Sequence, residues 1–244
     1  MSKFYTTEKS YDGFGAQYQR IIQTYIYCKI HNLNFVYDKF DKVEHNYEND
    51  IEYINKLENL INLKMNIPNL DKNTNHERLV NNTVSQYFEK NIDVCCENEH
   101  LELLKKYFWE NKSKNYFNNN KFNVAVQIRR ENPHDRGQAG DRATTPNTYY
   151  LNIMNLIRQK YKDKKILFHI YSQGKIEDFT ILGGPDVYYH LNENIIETFI
   201  GMVSAKVLVL SPSSFSYIAG LLSDGEVYYK KFWHNPRKNW IICM

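Results

Sequence analysis

From residue 122 onward, short apolar strands alternate with helices at nearly constant spacing, and few folds accommodate that pattern. Strands are read at 122–128, 165–171, 187–189, 207–210 and 227–229. Between them lie helical stretches at 147–161, 176–182, 195–204 and 215–222, the first carrying Tyr150, Ile153, Met154 and Ile157 in helical phase. Repeated strand–helix units predict a mostly parallel, doubly wound sheet with right-handed crossovers. The strand at 122–128 is apolar and β-branched, as a central strand of such a sheet should be.

The first half is organised differently. A short strand near 4–7 precedes Tyr11-Asp12-Gly13-Phe14-Gly15-Ala16-Gln17, whose glycines permit a tight turn feeding a helix that carries Ile21, Ile22, Tyr25, Ile26 and Ile30. A helix N-terminus after such a turn can hold an anion, although an ordinary strand-to-helix turn has the same pattern. A second strand is expected at 34–37, then three helices between 50 and 116. A polar join at 111–120 sets the expected boundary between an N-terminal, helix-rich α/β half at 1–118 and a C-terminal Rossmann-like half at 119–244.

With 42% hydrophobic and 15% aromatic residues, the chain can bury a sizeable core. Its formal net charge of +3 is too small to imply a nucleic-acid partner, so a local anion site is the better reading. No run approaches the length of a membrane span and the first residues lack a signal-peptide core, which predicts a soluble, cytoplasmic protein. Cys28, Cys95, Cys96 and Cys243 fit neither zinc spacing nor a disulfide framework and read as reduced, structural thiols. His45, His76 and His100 are isolated and read as surface or packing residues.

In a doubly wound sheet, ligands sit beyond the carboxyl ends of the strands. Three loops there are polar or small. The first follows the strand at 122–128 and holds Arg129, Arg130, His134, Asp135, Arg136, Gly137, Gly140, Asp141 and Arg142. Arginine grips phosphate bidentately at constant charge, so this loop is the candidate diphosphate clamp; a solvated charged loop is the plainer alternative. The second is Ser172-Gln173-Gly174-Lys175, where Gln173 can donate to and accept from a base edge and Gly174 permits close backbone approach. The third, 211–216, opens a helix with Ser211, Ser213, Ser214 and Ser216, hydroxyls suited to a phosphate cradle beyond what plain N-capping requires.

Three segments in order carry a resemblance: the glycine turn Gly13-Phe14-Gly15-Ala16-Gln17, Val126-Gln127-Ile128-Arg129-Arg130, and Ser213-Ser214-Phe215-Ser216-Tyr217 with Ala219. Together they resemble the fucosyltransferase superfamily of α1,2-, α1,6- and protein O-fucosyltransferases, with 168–172 in the place of a fourth segment. The resemblance implies a GT-B-like pair of Rossmann-type domains and inversion at the anomeric carbon. It also implies no metal and no cofactor beyond a nucleoside-diphosphate sugar as co-substrate. By resemblance, Arg129 would grip the β-phosphate with Arg130 in support, and Ser214, Phe215 and Ser216 would line the diphosphate and nucleoside.

The chain departs from that pattern at Gln127 (His in the family), Asn132 (Asp), Ala16 (Asn) and Gln173, the place of an aspartate that reads guanine. A glutamine suits a uracil-like edge equally well, so GDP-fucose is the first expectation and a UDP-sugar such as UDP-xylose stays open. The expected partners are this nucleotide sugar and a glycan or glycoprotein acceptor, with Asp135 ahead of Asp141 and His134 as general base. A non-catalytic nucleotide-sugar-binding module is the alternative class. The absence of an Asp-x-Asp run argues against a metal-held diphosphate. The aromatics at 232–236 and Trp240 fit either a sugar-stacking wall or a packed C-terminal turn, the second preferred.

Overall fold

The computed structural model describes residues 3–46, 49–131 and 144–244. The chain divides into two compact units, 1–113 and 114–244.

In the first unit, β1 (Phe4–Thr7), β2 (Asn34–Phe35) and β3 (His76–Leu79) form a parallel sheet in the order β2-β1-β3. Helix α1 (Phe14–Ile30) joins β1 to β2. It is buried around most of its circumference, with Tyr18, Ile22, Ile26 and Cys28 fully enclosed. The expected second strand is shorter than 34–37, and Tyr37 continues it only as a single bridge to Asn69.

Where three helices were expected, the fold has α2 (Tyr53–Ile61), α3 (Asn81–Lys90), α4 (Ile92–Cys96) and α5 (Glu99–Trp109). Asn62 ends α2 in the left-handed region at φ 56°, a conformation asparagine tolerates. Asn98 begins α5 by accepting from His100 N at 3.0 Å and Leu101 N at 3.1 Å. β3 was not anticipated, because His-Glu-Arg-Leu at a sheet edge has no apolar run to announce it.

The second unit is a six-stranded parallel sheet in the order β6-β5-β4-β7-β8-β9. Its elements are β4 (Phe122–Gln127), α6 (Asn147–Lys160), β5 (Ile166–Ser172), a 3-10 helix (Ile176–Leu182), β6 (Val187–Leu191) and α7 (Ile195–Ser204). They continue with β7 (Val207–Val209), α8 (Ser214–Leu222), β8 (Glu226–Lys230) and β9 (Ile241–Cys243). The chain steps outward from β4 through β5 to β6, then returns to lay β7 on the other side of β4. That is the 3-2-1-4-5-6 order of a dinucleotide-type sheet. The segment 176–182 is 3-10 and not α, and β8 is not the last strand.

Cross-strand register separates the two faces. Val124, Phe168 and Val187 share one row, and Val126, Ile170 and Tyr189 the next. That face packs against Tyr150, Ile153, Met154 and Ile157 of α6 in the unit's apolar core. The opposite face carries Ala125, His169 and Tyr188 in one row and Gln127, Tyr171 and His190 in the next. α7 covers part of it: a Cβ added at Gly201 would collide with the Tyr171 hydroxyl. Helices on both faces make the sheet doubly wound, as the alternation predicts. Among the described residues, no helix is long and apolar enough to cross a membrane.

Candidate functional site

The strand order reverses between β4 and β7, and in open α/β sheets the crevice beyond the carboxyl ends of such a pair is where ligands bind. Gln127 closes β4 there, 8% exposed, and accepts a hydrogen bond from Ser211 Oγ across the crevice. Arg129 follows two residues later. The turn between β7 and α8 is thus tied to the strand that delivers the arginines.

The serines of that turn divide into builders and one outlier. Ser213 caps α8 by accepting from Ser216 N at 3.2 Å, and Ser216 Oγ donates to Ser211 O at 2.7 Å. Ser211, Ser213 and Ser216 therefore shape the turn, and capping explains more of the cluster than the sequence pattern suggests. Ser214 is partly exposed, with its Oγ 3.4 Å from His234 Nε2. Phe215 is partly buried, its ring 5.4 Å from that of Phe199. The first turn of α8 also presents backbone N–H groups and the positive end of the helix dipole.

Both arginines are partly buried. Arg129 donates to Arg130 O at 3.0 Å, and Arg130 donates to Arg129 O at 3.0 Å and Thr145 O at 3.1 Å. Arg130 also bonds Asn147 Oδ1 at the start of α6 and lies 5.6 Å from the Phe179 ring centroid. Burial lowers its pKa from the ordinary value. Arg130 thus clasps the end of β4 to α6 and the 3-10 helix, which suits a support for its neighbour better than a ligand contact.

The loop after β5 is tightly held. Ser172 Oγ donates to Ile128 O at 2.8 Å. Gly174 has φ 125°, where side chains are strained, and its N–H and carbonyl are bound by the Asn192 side chain at 3.0 and 2.9 Å. Gln173 lies between these anchors, partly buried.

In the first unit, the glycine turn is a closed structure. Gln17 Nε2 donates to Asp12 O at 2.6 Å and Lys42 O at 2.8 Å, and Arg20 grips Asp12 bidentately at 2.6 and 2.7 Å. Gly13 is the N-cap of α1 at φ −65°, so its glycine serves space and not dihedral freedom: an added Cβ would meet His45 at 2.9 Å. His45 itself is held at φ 72°. Phe14 and Gly15 are buried inside α1. The turn's polar groups hold the turn itself, with the Gln17 amide bridging Asp12 and Lys42.

Asn132, His134, Asp135, Arg136, Gly137, Gly140, Asp141 and Arg142 lie outside the described residues. Among the described residues no group of three or more His, Cys, Asp or Glu is arranged to hold a metal ion. Cys28, Cys95, Cys96 and Cys243 form no disulfide, and burial pushes the Cys28 and Cys95 thiols up to about 12. Trp240 is 6% exposed and Trp233 donates to His234 Nε2 at 2.8 Å. Tyr217 donates to Asn235 O at 2.8 Å, so the C-terminal aromatics form a packed turn beside α8.

Sequence reasoning passed over the polar face of the sheet. His169 Nδ1 and His190 Nε2 are 2.9 Å apart, and His190 Nδ1 is 2.8 Å from Glu193 Oε1. Burial, then the neighbouring His190, pushes His169 down to about 4. The sequence signal is the alternation of His169 with Tyr171 and of Tyr188 with His190, polar-aromatic pairs on one face of adjacent strands.

No family model matches the chain, and no curated protein matches it. Among solved structures, POFUT1 in complex with GDP aligns over 91% of this chain and 94% of its own, at 10% identity and a TM-score of 0.49. POFUT1 with GDP-fucose aligns over 99% and 96%, at 9% identity and a TM-score of 0.48. The E. coli heptosyltransferase WaaC with ADP-2-deoxy-2-fluoro heptose covers 100% and 93%, at 12% identity and a TM-score of 0.44. Likenesses of this extent establish neither family nor activity for the chain.

Proposed function

We propose that the second unit binds a nucleoside-diphosphate sugar and that the protein is an inverting, metal-independent glycosyltransferase acting on a glycan or glycoprotein hydroxyl. GDP-fucose is the first choice of donor. The observation that carries this reading is the meeting, at the β4/β7 reversal, of the arginine-bearing strand end with the serine turn that opens α8. An arginine just past the end of β4 and a helix N-terminus after β7 suit a diphosphate.

In the reaction, the bond between the anomeric carbon and the β-phosphate oxygen breaks, and its electron pair stays on the phosphate. Positive charge develops on the sugar ring as the acceptor oxygen approaches from the opposite face. Arg129 stabilises the charge growing on the leaving group, with Arg130 holding the strand end that presents it. The acceptor's proton passes to a base, for which Asp135 stands ahead of Asp141 and His134. A second donor class is favoured by one residue: Gln173 offers one donor and one acceptor, a pattern that suits uracil, so UDP-sugars such as UDP-xylose are the alternative.

A thermal-shift screen over GDP, UDP, dTDP and their sugars, followed by transfer and hydrolysis assays, tests the reading. Stabilisation by GDP or GDP-fucose with turnover supports it, and stabilisation by UDP-sugars supports the alternative donor. Arg129→Ala is expected to lower the rate by about 10²–10³. Binding without turnover of any donor would leave a nucleotide-sugar-binding module, and a melt that no nucleotide shifts would overturn the proposal.

A further inference from the structure

We infer that Asn192, held in place by the His169–His190–Glu193 chain, is the positioning residue for the loop that receives the nucleoside half of the donor. The inference rests on the nucleotide-sugar reading above. In a 3-2-1-4-5-6 sheet the first strand's loop takes the diphosphate, and the end of the second strand faces the nucleoside. β4 and β5 fill those places, so Ser172-Gln173-Gly174 is the nucleoside loop.

That loop is not shaped by its own strand alone. Gly174, at φ 125°, has both backbone polar groups bound by the Asn192 side chain, and Asn192 N donates to Ser172 O at 3.0 Å. Three hydrogen bonds from one residue therefore set the path on which Gln173 is carried. Asn192 itself sits in the left-handed region at φ 58°, between β6 and α7. The turn is anchored on its far side by Glu193, bound to His190, and by Asn194, which caps α7.

The proton positions along the chain follow from a backbone anchor. Lys121 N donates to Asn119 Oδ1 at 2.9 Å, so Asn119 Oδ1 is an acceptor, and Asn123 Nδ2 donates to it at 3.0 Å. Asn123 therefore turns its Oδ1 toward His169 Nε2, 3.0 Å away, and that nitrogen carries a proton. His169 is buried and neutral, so its Nδ1 accepts, and His190 Nε2 must donate to it. His190 Nδ1 lies 2.8 Å from Glu193 Oε1, which ties the turn after β6 to the histidine pair. His169, His190 and Glu193 thus form one continuous chain from β5 to the turn that carries Asn192. The groups around His190 are His169 and Tyr171 from β5, Tyr188 from its own strand, and Glu193 from the next turn. Glu197 of α7 and Tyr116, bonded to it at 2.9 Å, act on Tyr171 beside it.

The experiment is calorimetric titration of the full chain with GDP, UDP and inorganic pyrophosphate. Asn192→Gly keeps the left-handed backbone and removes both side-chain bonds. It is expected to weaken the bound nucleotide about tenfold or more while pyrophosphate affinity stays within about twofold. Equal weakening of nucleotide and pyrophosphate, or no change in either, overturns the inference and leaves the nucleotide-sugar reading standing. A wild-type protein that binds no nucleotide overturns both. Glu193→Gln gives a second arm that does not depend on Asn192→Gly folding. Removing the carboxylate beside His190 Nδ1 is expected to weaken the nucleotide about threefold or more while pyrophosphate affinity stays within about twofold. Unchanged nucleotide affinity in Glu193→Gln contradicts the latch.

Discussion

The two faces of the second unit's sheet are built from the same strands and do opposite work. One is a dry row of Val124, Val126, Phe168 and Ile170 packed on α6; the other carries Asn123, Gln127, His169, Tyr171 and His190, with α7 over Tyr171. The apolar face stabilises by area, roughly 1.5–3 kcal/mol for each large side chain fully buried. The polar face contributes by position: Ser211 bonds Gln127 at the β4/β7 crevice, and the His169–His190–Glu193 contacts tie β5 to the turn after β6. Stability and site geometry are thus separable, and substitutions on the two faces should fail in different ways.

The largest effect is expected from Phe168→Ala on the apolar face, where a fully buried ring leaves a cavity costing about 3–5 kcal/mol in denaturant unfolding. Gly201→Ala comes next: its Cβ meets the Tyr171 hydroxyl, and relief requires α7 to shift, about 1–3 kcal/mol. A loss below about 0.5 kcal/mol would mean α7 is not seated on Tyr171 as described.

The third effect is pH-dependent. His169 is depressed from 6.5 to about 4 in the folded state, so the unfolded chain takes up the proton first. Its contribution to stability is therefore full above pH 6.5, is lost as pH falls toward 4, and changes no further below that. The total is on the order of 2 kcal/mol after allowing for its coupling to His190. Measured as the difference between wild type and His169→Gln, the slope should appear in that window and nowhere else. The smallest effect is Ser213→Ala, which removes the α8 cap and should cost about 1 kcal/mol.

The core strands were legible because β4 and β7 are enclosed and read as apolar runs, and α1, α6 and α7 keep helical phase. β3 and β9 were not, since short strands at sheet edges take their pairing from neighbours and need no apolar alternation. Arg129, Gln127 and the serine turn were found as a group, because a strand end followed by paired arginines is a local pattern. The bonds that shape the serine turn, Ser213 to Ser216 and Ser216 to Ser211, were not legible, since composition does not reveal them. His190 and His169 lie 21 positions apart, and only the β5/β6 register brings their rings to 5.1 Å.

The central claim is that a diphosphate binds beside Arg129 at the β4/β7 reversal, and titration of GDP and UDP into wild type and Arg129→Ala tests it directly. Removing one charge-assisted contact should weaken the nucleotide that binds by about 30–100-fold, with the melting temperature of the unliganded protein unchanged. Equal affinity in the two proteins would contradict the account.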